Sequence, residues 1–301
     1  MRPHFTQHLF RYQQRYTRRR DDEENPSHEN RRTIARRARP PATLLGELQV
    51  QKLQELFWRW PGGFDLVRGV HSMFSATTEE RAYFAPFAVF LAFLGLNELI
   101  GKLSEGTAGT WWWSEPHFWI FPLQTLVCGW MIARRWRFYN LRPPAQPVVA
   151  VIAGLVVLGL WLAPQLWLGF PSRTSGFDPT YFATSGAAFA VTVALRFLRL
   201  VVVVPIVEEI FWRGYLLRVL IDEPFIKVPV GAFSWLSFAI VTAGFCLEHQ
   251  AADWPAAILA GALYNLVAYR TRSLSSCILA HAITNLLLGL YVMRTGQWGF
   301  W

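Results

Sequence analysis

The sequence predicts an all-α fold, a polytopic transmembrane helical bundle, on two compositional observations. The 301 residues are 53% hydrophobic but only 16% charged, against roughly 25% charged in an ordinary soluble chain. From residue 84 to the end, the 14 basic and 10 acidic residues fall mostly in short clusters between long uncharged runs. These runs exclude a soluble enzyme and a disordered regulator. The three cysteines all lie in apolar runs, which excludes a secreted disulfide scaffold.

Seven apolar segments are long enough to be membrane spans, since a hydrocarbon core about 30 Å thick takes roughly 20 helical residues to cross. They are Phe84–Ile100, Trp111–Ala133, Val148–Phe170, Thr184–Leu217, Ala232–Glu248, Pro255–Tyr269 and Ser275–Met293. The fourth is about one and a half spans long and contains Pro205, so we expect a kink or an interfacial turn there. Eight spans is the alternative count.

Basic residues on alternate loops predict the orientation of the bundle. They follow spans two, four and six, at Arg134, Arg135, Arg137, Arg142, Arg218, Lys227, Arg270 and Arg272. With seven spans these clusters lie on the side of the basic N-terminus, which we therefore expect in the cytoplasm. The tryptophans expected near the opposite interface are Trp111, Trp112, Trp113, Trp298 and Trp301.

Composition divides the chain into three parts. Residues 1–42 contain 11 arginines, 5 acidic residues and no apolar core, which predicts a basic, disordered cytoplasmic tail rather than a secretory signal. Residues 43–80 carry leucines at helical spacing, which predicts an amphipathic interfacial helix and a linker. Residues 84–301 form the transmembrane bundle. A start at Met73 would keep every span, so the start of the natural product stays open.

Polar residues inside the last four spans are candidates for function, because ionisable groups at membrane depth are costly. Glu209 and Arg213 are an i, i+4 pair with the acid first, which favours an intrahelical ion pair. Glu208 is rotated by about 100° from Glu209 and lacks that partner, which makes it a candidate general base. The alternative is that both acids only neutralise nearby arginines such as Arg196 and Arg199.

Two further polar pairs lie one helical turn apart, Phe245 with His249 and His281 with Asn285. One histidine in a span is more often a packing residue than a catalyst. Two histidines, an unpaired carboxylate and an asparagine together supply a base, a proton relay and hydrogen-bond donors for an oxyanion. Those are the groups that hydrolysis of an amide requires.

The three motifs, Glu-Glu-x-x-x-Arg, Phe-x-x-x-His and His-x-x-x-Asn, resemble in order and spacing those of the CAAX protease and bacteriocin-processing family. These type II CAAX prenyl endopeptidases are intramembrane proteases. The resemblance covers roughly Arg196–Met293. The rest of the chain, with its C-terminal Gly-Gln-Trp-Gly-Phe-Trp, resembles the subset found beside exosortase systems in bacteria. This resemblance implies a bacterial inner (plasma) membrane location.

The resemblance implies that Glu208 activates the attacking water with help from His249, while His281 and Asn285 stabilise the oxyanion. It gives supporting roles to Glu209, Arg213 and Phe245, the first two of which would hold the motif helix in place. A scheme without a cofactor is favoured, since the sequence has no His-Glu-x-x-His. Zinc held by His249, His281 and Glu208 is the alternative, because three such ligands can form an open catalytic site.

The depth of His249 does not fit this scheme easily. Counted along the helices from the cytoplasmic ends, Glu208 lies about 15 Å deep and His281 about 12 Å deep, whereas His249 ends its span near the far interface. Either span five begins deep in the bundle, or the turn 250–254 enters a water-filled cavity. We predict that His249 lies within reach of Glu208 and His281. Two more buried charges, Arg196 and Arg199, are expected to neutralise Glu98 or Glu209; receiving a substrate carboxylate is the less favoured role.

The predicted function is therefore an intramembrane endopeptidase that cleaves a peptide bond of a membrane protein or a lipid-anchored peptide in the bilayer. In eukaryotic relatives the substrate is a prenylated C-terminus. No nucleic-acid partner is expected. A non-catalytic scaffold or immunity protein of the same fold is one alternative. A proton-coupled transporter is the other, since intramembrane Glu and His also form proton relays, but no inverted repeat is evident.

Overall fold

A computed structural model describes residues 77–105, 110–170 and 176–301. The all-α prediction is confirmed, since these residues form helices and loops and no strand. The helices of these ranges are α1 Thr78–Ser104, α2 Trp111–Ser114, α3 His117–Arg135, α4 Pro147–Leu166, α5 Gly186–Val219, α6 Trp235–Leu247, α7 Trp254–Thr271 and α8 Leu274–Thr295. Short 3₁₀ turns lie at Trp136–Phe138, Pro179–Phe182, Phe225–Lys227, Ala251–Asp253 and Trp298–Phe300. The predicted tail 1–42 and the predicted amphipathic helix lie outside the described residues.

Each of the seven predicted spans contains helix, although Glu115 and Pro116 divide the second span into α2 and α3. Four helices, α1, α4, α5 and α8, are long and apolar enough to cross a membrane. Helix α6 is apolar but has only 13 residues, a rise of about 20 Å. The apolar helices are those of an integral membrane protein.

Polar caps determine where several helices begin. The first span starts at Thr78 rather than at the predicted Phe84, because Thr77 and Glu80 form a capping box. The Thr77 hydroxyl accepts from the Glu80 N–H at 3.2 Å, and the Glu80 carboxylate accepts from the Thr77 N–H at 2.6 Å. Helices α5, α6 and α8 each begin after a serine whose hydroxyl accepts a hydrogen bond from a first-turn N–H group. These serines are Ser185, Ser234 and Ser273.

Helix α5 runs through Pro205 without ending, so the expected interfacial turn is wrong. Two π-helical segments, Leu198–Val203 and Ile210–Leu216, interrupt its α-helical course. A proline lacks the N–H of the normal ladder and crowds the preceding turn. The wider turn directly before Pro205 accommodates both effects, and α5 continues to the Glu208 motif.

Helix α8 packs against α4, α5 and α7, while α1 packs against α3 and α6 against α7. The contact between α4 and α8 is close at Gly154, where a methyl group would come within 2.6 Å of the Ala280 carbonyl oxygen. The Thr284 hydroxyl donates to the Gly154 carbonyl at 3.0 Å across the same contact. This glycine therefore positions the helix that carries His281.

One basic residue of the predicted cytoplasmic clusters, Arg218, is buried rather than exposed. Its guanidinium donates to the carbonyls of Val228, Gly214 and Ile226 at 2.6, 2.9 and 3.1 Å. The Val228 and Ile226 carbonyls belong to the segment that follows α5, so these bonds hold that segment against the end of the helix. Arg218 thus stabilises the fold, and the orientation of the bundle stays a prediction that rests on the remaining basic residues.

Candidate active site

A cavity of about 300 Å³ lies between the helices, walled by α1, α3, α4, α5, α6, α7, α8 and the C-terminal turn. The four residues predicted to be catalytic, Glu208, His249, His281 and Asn285, all line it. So does the supporting residue Phe245. Residues from three separate helices of the sequence are therefore brought to one cavity.

The other two supporting residues, Glu209 and Arg213, lie behind the cavity wall and are fully buried. The predicted intrahelical ion pair is present, with Arg213 Nη1 at 3.0 Å from Glu209 Oε1. The same oxygen accepts from His281 Nδ1 at 3.0 Å. Glu209 therefore joins α5 to α8 and fixes the orientation of the His281 ring.

Arg213 uses its remaining donors on α7. Its Nε donates to Asn265 Oδ1 at 3.0 Å and its Nη2 to the Gly261 carbonyl at 3.0 Å. The Asn265 amide in turn donates to the Thr242 hydroxyl of α6 at 3.1 Å. This buried cation therefore joins four helices in one hydrogen-bonded network.

Asn265 was missed in the sequence analysis, and so was its neighbour Tyr264. The Tyr264 ring stacks on the His281 ring, with centroids 5.1 Å apart and planes at 21°. Its hydroxyl donates to Thr284 at 2.8 Å. The sequence feature that could have indicated this contact is Asn265 itself, because it is the one carboxamide inside the predicted sixth span.

The Glu208 carboxylate differs from that of Glu209 because no described residue donates a hydrogen bond to it. Its Oε2 is buried and lies 4.0 Å from His281 Nε2. Because His281 directs Nδ1 to Glu209, its other nitrogen faces the cavity and Glu208. An acid and an imidazole thus face the same space, and a second acid behind the ring fixes its orientation.

His249 reaches the cavity because of the turn that follows α6. The helix ends at Leu247, and the turn residues Gln250 and Asp253 also line the cavity. Of the two expected explanations for the depth of His249, the structure favours the turn that enters the cavity. His249 lines the same cavity as Glu208 and His281, although its depth in the membrane stays a prediction.

Phe245 lies between the two histidines. Its ring centroid is 4.8 Å from that of His249 and 6.2 Å from that of His281. The His249 Nδ1 donates to the Phe245 carbonyl at 2.7 Å, and Trp161 packs edge-on against the same imidazole at 5.2 Å. Phe245 therefore sets the spacing of both imidazoles at the cavity wall.

Asn285 lies one turn after His281 on α8, as predicted. Its Nδ2 donates to the Leu200 carbonyl at 2.8 Å, within the first π-helical segment of α5. The carboxamide has a second N–H on the same nitrogen, so one hydrogen remains for a ligand. The widened turn of α5 thus orients a hydrogen-bond donor at the cavity.

Glu248 is a further acidic residue of the cavity that the sequence analysis passed over. Its Oε2 accepts from Trp212 Nε1 at 3.0 Å, and its Oε1 is buried without a hydrogen-bond partner. The sequence feature that could have indicated Glu248 is its position directly before His249 in the second motif. The cavity therefore contains a second carboxylate besides Glu208.

These residues lie in the part of the chain that matches a known family. A family model described as "Type II CAAX prenyl endopeptidase Rce1-like" matches residues 189–287, which include all three motifs. We call these matched residues, 189–287, the Rce1-like region. The match confirms the resemblance and supports a CAAX-type intramembrane protease in general. Neither the curated proteins nor the solved structures give a match to the chain.

Two buried arginines of the Rce1-like region, Arg196 and Arg199, also line the cavity. The expectation that they neutralise Glu98 or Glu209 is wrong. The Glu98 carboxylate is exposed and pairs with Lys102 at 3.1 Å, and Glu209 pairs with Arg213. Glu98 lies on a different surface from the cavity, and the Glu209 oxygen is already occupied, so neither acid compensates these arginines.

The Rce1-like region does not fit a metal centre in the described arrangement. Within residues 77–105, 110–170 and 176–301, no three His, Cys, Asp or Glu side chains form a cluster that could hold a metal ion. The imidazoles of His249 and His281 each commit Nδ1 to an oxygen, of the Phe245 carbonyl and of Glu209. Metal-bound histidines also donate their second ring N–H to an oxygen, so zinc held by His249, His281 and Glu208 stays a hypothesis.

Proposed function

We propose that this protein is an intramembrane endopeptidase in which Glu208 activates a water molecule to hydrolyse a peptide bond. The supporting observation is the contrast between adjacent acids: Glu209 is engaged by Arg213 and His281, whereas Glu208 faces the cavity without a protein donor. A carboxylate that accepts no hydrogen bond from the protein retains its capacity to accept a proton. The substrate is a membrane protein or a lipid-anchored peptide, because the cavity lies within apolar helices.

In the first step, Glu208 removes a proton from water while the water oxygen attacks the carbonyl carbon of the scissile amide. His249 orients this water. Its Nδ1–H donates to the Phe245 carbonyl, so Nε2 of the neutral ring is the nitrogen that accepts a hydrogen bond. The product of this step is a tetrahedral oxyanion, with the proton on Glu208.

The oxyanion accepts hydrogen bonds from Nε2–H of a protonated His281 and from the second Nδ2–H of Asn285. Glu209 stabilises the imidazolium by accepting its Nδ1–H at 3.0 Å. The proton held by Glu208 then passes to the amide nitrogen as the C–N bond breaks. Glu208 returns to its carboxylate form, and the products are a new carboxyl terminus and a free amine.

The N-terminus is proposed to lie in the cytoplasm of a bacterial plasma membrane, on the arginine distribution described above. The proposed scheme needs no cofactor. We expect activity to survive removal of divalent metal by a chelator. Loss of activity with the chelator, followed by recovery with zinc, would contradict the glutamate scheme.

The decisive experiment compares membranes from cells that contain the wild type with membranes from cells that contain Glu208→Gln. Mass spectrometry should find a protein with a new C-terminus in the first sample only, since removing the general base lowers the rate by at least about 100-fold. Asn285→Ala should lower cleavage by about 100-fold through loss of an oxyanion donor. Glu98→Gln, an exposed acid paired with Lys102, is the matched control and should cleave normally.

Two results would favour the alternative functions. A phenotype that persists in Glu208→Gln, with no change in any C-terminus, would identify a scaffold or immunity protein. Ion or solute flux into proteoliposomes, without peptide cleavage, would identify a transporter.

A further inference from the structure

The loops that are rich in basic residues meet at one end of the bundle, which we call the basic end. The N–H of Ala145, just after the arginines of the loop between α3 and α4, donates to the Ser273 hydroxyl at 3.4 Å. Ser273 lies beside Arg272 in the loop between α7 and α8. A methyl group on Gly214, near the end of α5, would meet Leu274 at 3.3 Å. Helices α3, α5 and α7 therefore end at the basic end, and α4 and α8 begin there.

The cavity is closed toward the basic end. On α5, α7 and α8, no described residue between the candidate catalytic residues and the basic end lines it. The side chains there are packed instead, since Leu217, Ala268 and Cys277 are each 0% exposed. A methyl group on Gly214 would come within 2.9 Å of the Tyr83 ring, so α1 and α5 also leave no passage between them.

The cavity extends the other way, toward what we call the open end. On α5 its walls reach back to Arg196, 12 residues before Glu208 and about 18 Å along the helix. On α8 they continue past the catalytic motif to Leu288. Phe300 and Trp301, in the turn after α8, line the cavity at the same end. Glu208 and its neighbours therefore lie at the bottom of a cavity that runs along the bundle in one direction.

The mouth of the cavity lies at the turn between α6 and α7. Of the wall residues that the structure describes, Gln250 is the one that is exposed. Two more polar residues of this turn, Glu248 and Asp253, also line the cavity. Irregular backbone and polar side chains among apolar helices are tolerated where they line a water-filled cavity. The turn therefore provides a route by which water reaches Glu208.

We propose that water and the substrate chain enter the cavity at the open end, on the membrane face opposite the basic end. With the basic loops in the cytoplasm, that face is the outer face of the plasma membrane. The substrate class is then a membrane-anchored protein whose cleaved bond lies in its exported part, close to the anchor. The substrate class rests on the proposed function, whereas the direction of access rests on the cavity alone.

Single cysteines test the direction of access without reference to cleavage. The full-length chain carries alanine at Cys128, Cys246 and Cys277, and one cysteine is introduced at a time. Spheroplasts, which expose the outer face, and inverted vesicles are treated with a trimethylammonium methanethiosulfonate that does not cross membranes. Gln250→Cys should react at least about tenfold faster in spheroplasts, and Arg270→Cys at least about tenfold faster in vesicles, because the hydrated thiolate is the reactive form.

A second set of cysteines tests whether the route continues inside the cavity. Leu288→Cys lies on the cavity wall, three residues beyond Asn285. Leu286→Cys is the matched control, since Leu286 is 38% exposed on the same helix but outside the wall. Cys277, kept as the one cysteine, tests the closed end. Leu288→Cys should react from the same face as Gln250→Cys, and at least about tenfold faster than either control, because apolar surroundings suppress the thiolate.

The substrate class is tested by where cleavage occurs. In the mass-spectrometric comparison of the wild type with Glu208→Gln, each new C-terminus should lie in a segment on the outer face of the membrane. If the labelling pattern holds but no cleavage is found, the hydrolase is refuted and the direction of access stands. If cleavage depends on Glu208 but the cut sites lie on the cytoplasmic face, the hydrolase stands and this proposal fails.

The proposal is overturned if Gln250→Cys and Leu288→Cys react faster in inverted vesicles than in spheroplasts. It is also overturned if Leu288→Cys reacts no faster than Leu286→Cys, since the cavity then has no aqueous route from its mouth. Folding is checked by restoring Cys277 in each variant, where its modification marks an unfolded chain. Gln250 lies in an exposed turn, so its cysteine variant tests the mouth even where Leu288→Cys fails to fold.

Discussion

Glu208 and Glu209 are neighbours in sequence but lie in different surroundings. Glu209 is fully buried, and one of its oxygens accepts from both Arg213 and His281 at 3.0 Å. Glu208 lines the cavity, and no described residue donates to it. Successive helical residues are rotated by about 100°, so one acid faces the packed interior and the other the open space. The two residues should therefore contribute differently to stability and to chemistry.

Glu209→Gln should lower the free energy of unfolding by about 3–5 kcal/mol, because it leaves the buried Arg213 without its anion. Glu208→Gln should leave that free energy unchanged or raise it, since the buried Oε2 of Glu208 has no hydrogen-bond partner to lose. Denaturant unfolding of both variants in micelles, followed by tryptophan fluorescence, measures the difference. Equal destabilisation by the two substitutions would mean that Glu208 also has a structural partner.

The ion pair of Glu209 with Arg213 could be predicted because both residues lie on one helix, four positions apart. The contacts that Asn265 and Tyr264 make with this network could not be predicted from the sequence. Asn265 meets Arg213 from a helix 52 positions later in the chain, and Tyr264 meets His281 from the preceding helix, 17 positions earlier. Periodicity within one helix contains no information on which faces of two helices meet, so contacts of this kind appear only in the folded structure.

At the scale of helices, the position of α8 depends on how closely it approaches α4. Gly154 allows the approach, and Thr284 uses it to donate to the Gly154 carbonyl at 3.0 Å. Small residues at helix contacts are the usual means of close packing in membranes, where association depends on van der Waals contact. Because α8 carries His281 and Asn285, a change at Gly154 should reach the cavity.

Gly154→Ala should lower the free energy of unfolding by about 1–3 kcal/mol and reduce cleavage, because the added methyl meets the Ala280 carbonyl and Ile283. Gly159→Ala on the same helix is the matched control. Nothing lies within 4 Å of the added methyl there, so alanine should be neutral or stabilising by up to about 1 kcal/mol. The same unfolding and cleavage assays apply to both. If both substitutions behave alike, the close approach at Gly154 does not position α8.

The existence of each helix followed from the apolar runs, but the shape of α5 and α6 did not. Pro205 predicted a disturbance, which the structure accommodates by π-helical segments before Pro205 and after Glu209. One of these turns presents the Leu200 carbonyl to Asn285. The length of α6 was overestimated, since the apolar run continues through both of its ends although the helix covers only Trp235–Leu247. Hydropathy measures how apolar a segment is, and it does not locate the last helical hydrogen bond.

At the scale of the molecule, the chemistry and the walls of the cavity come from different parts of the chain. The Rce1-like region 189–287 holds Glu208, His249, His281 and Asn285. Wall residues on α1, α3, α4 and the C-terminal turn lie outside it: Phe90, Phe121, Trp161 and Trp301. Trp301, one of the tryptophans predicted near the membrane interface, lines the cavity and packs on Arg196. We infer that the matched region determines the reaction and that the surrounding helices determine which chain can enter.

A chain that begins at Met73 should fold and cleave like the full-length protein. The described cavity residues run from Phe90 to Trp301, and the first described helix has its own cap at Thr77. Its unfolding temperature should lie within about 2 °C of that of the full chain, a difference below about 1 kcal/mol. Deletion of residues 298–301 is the contrasting variant.

That contrasting variant lacks only four residues, but they include Phe300 and Trp301 of the cavity wall, so cleavage should fall sharply. Both deletions are compared in micelles with the mass-spectrometric assay for a new C-terminus. Loss of cleavage on removing residues 1–72, with the unfolding temperature unchanged, would show that the N-terminal part acts on the substrate. Retained cleavage would place the whole reaction in the bundle that follows Met73, with the basic segment left for membrane topology and surface charge.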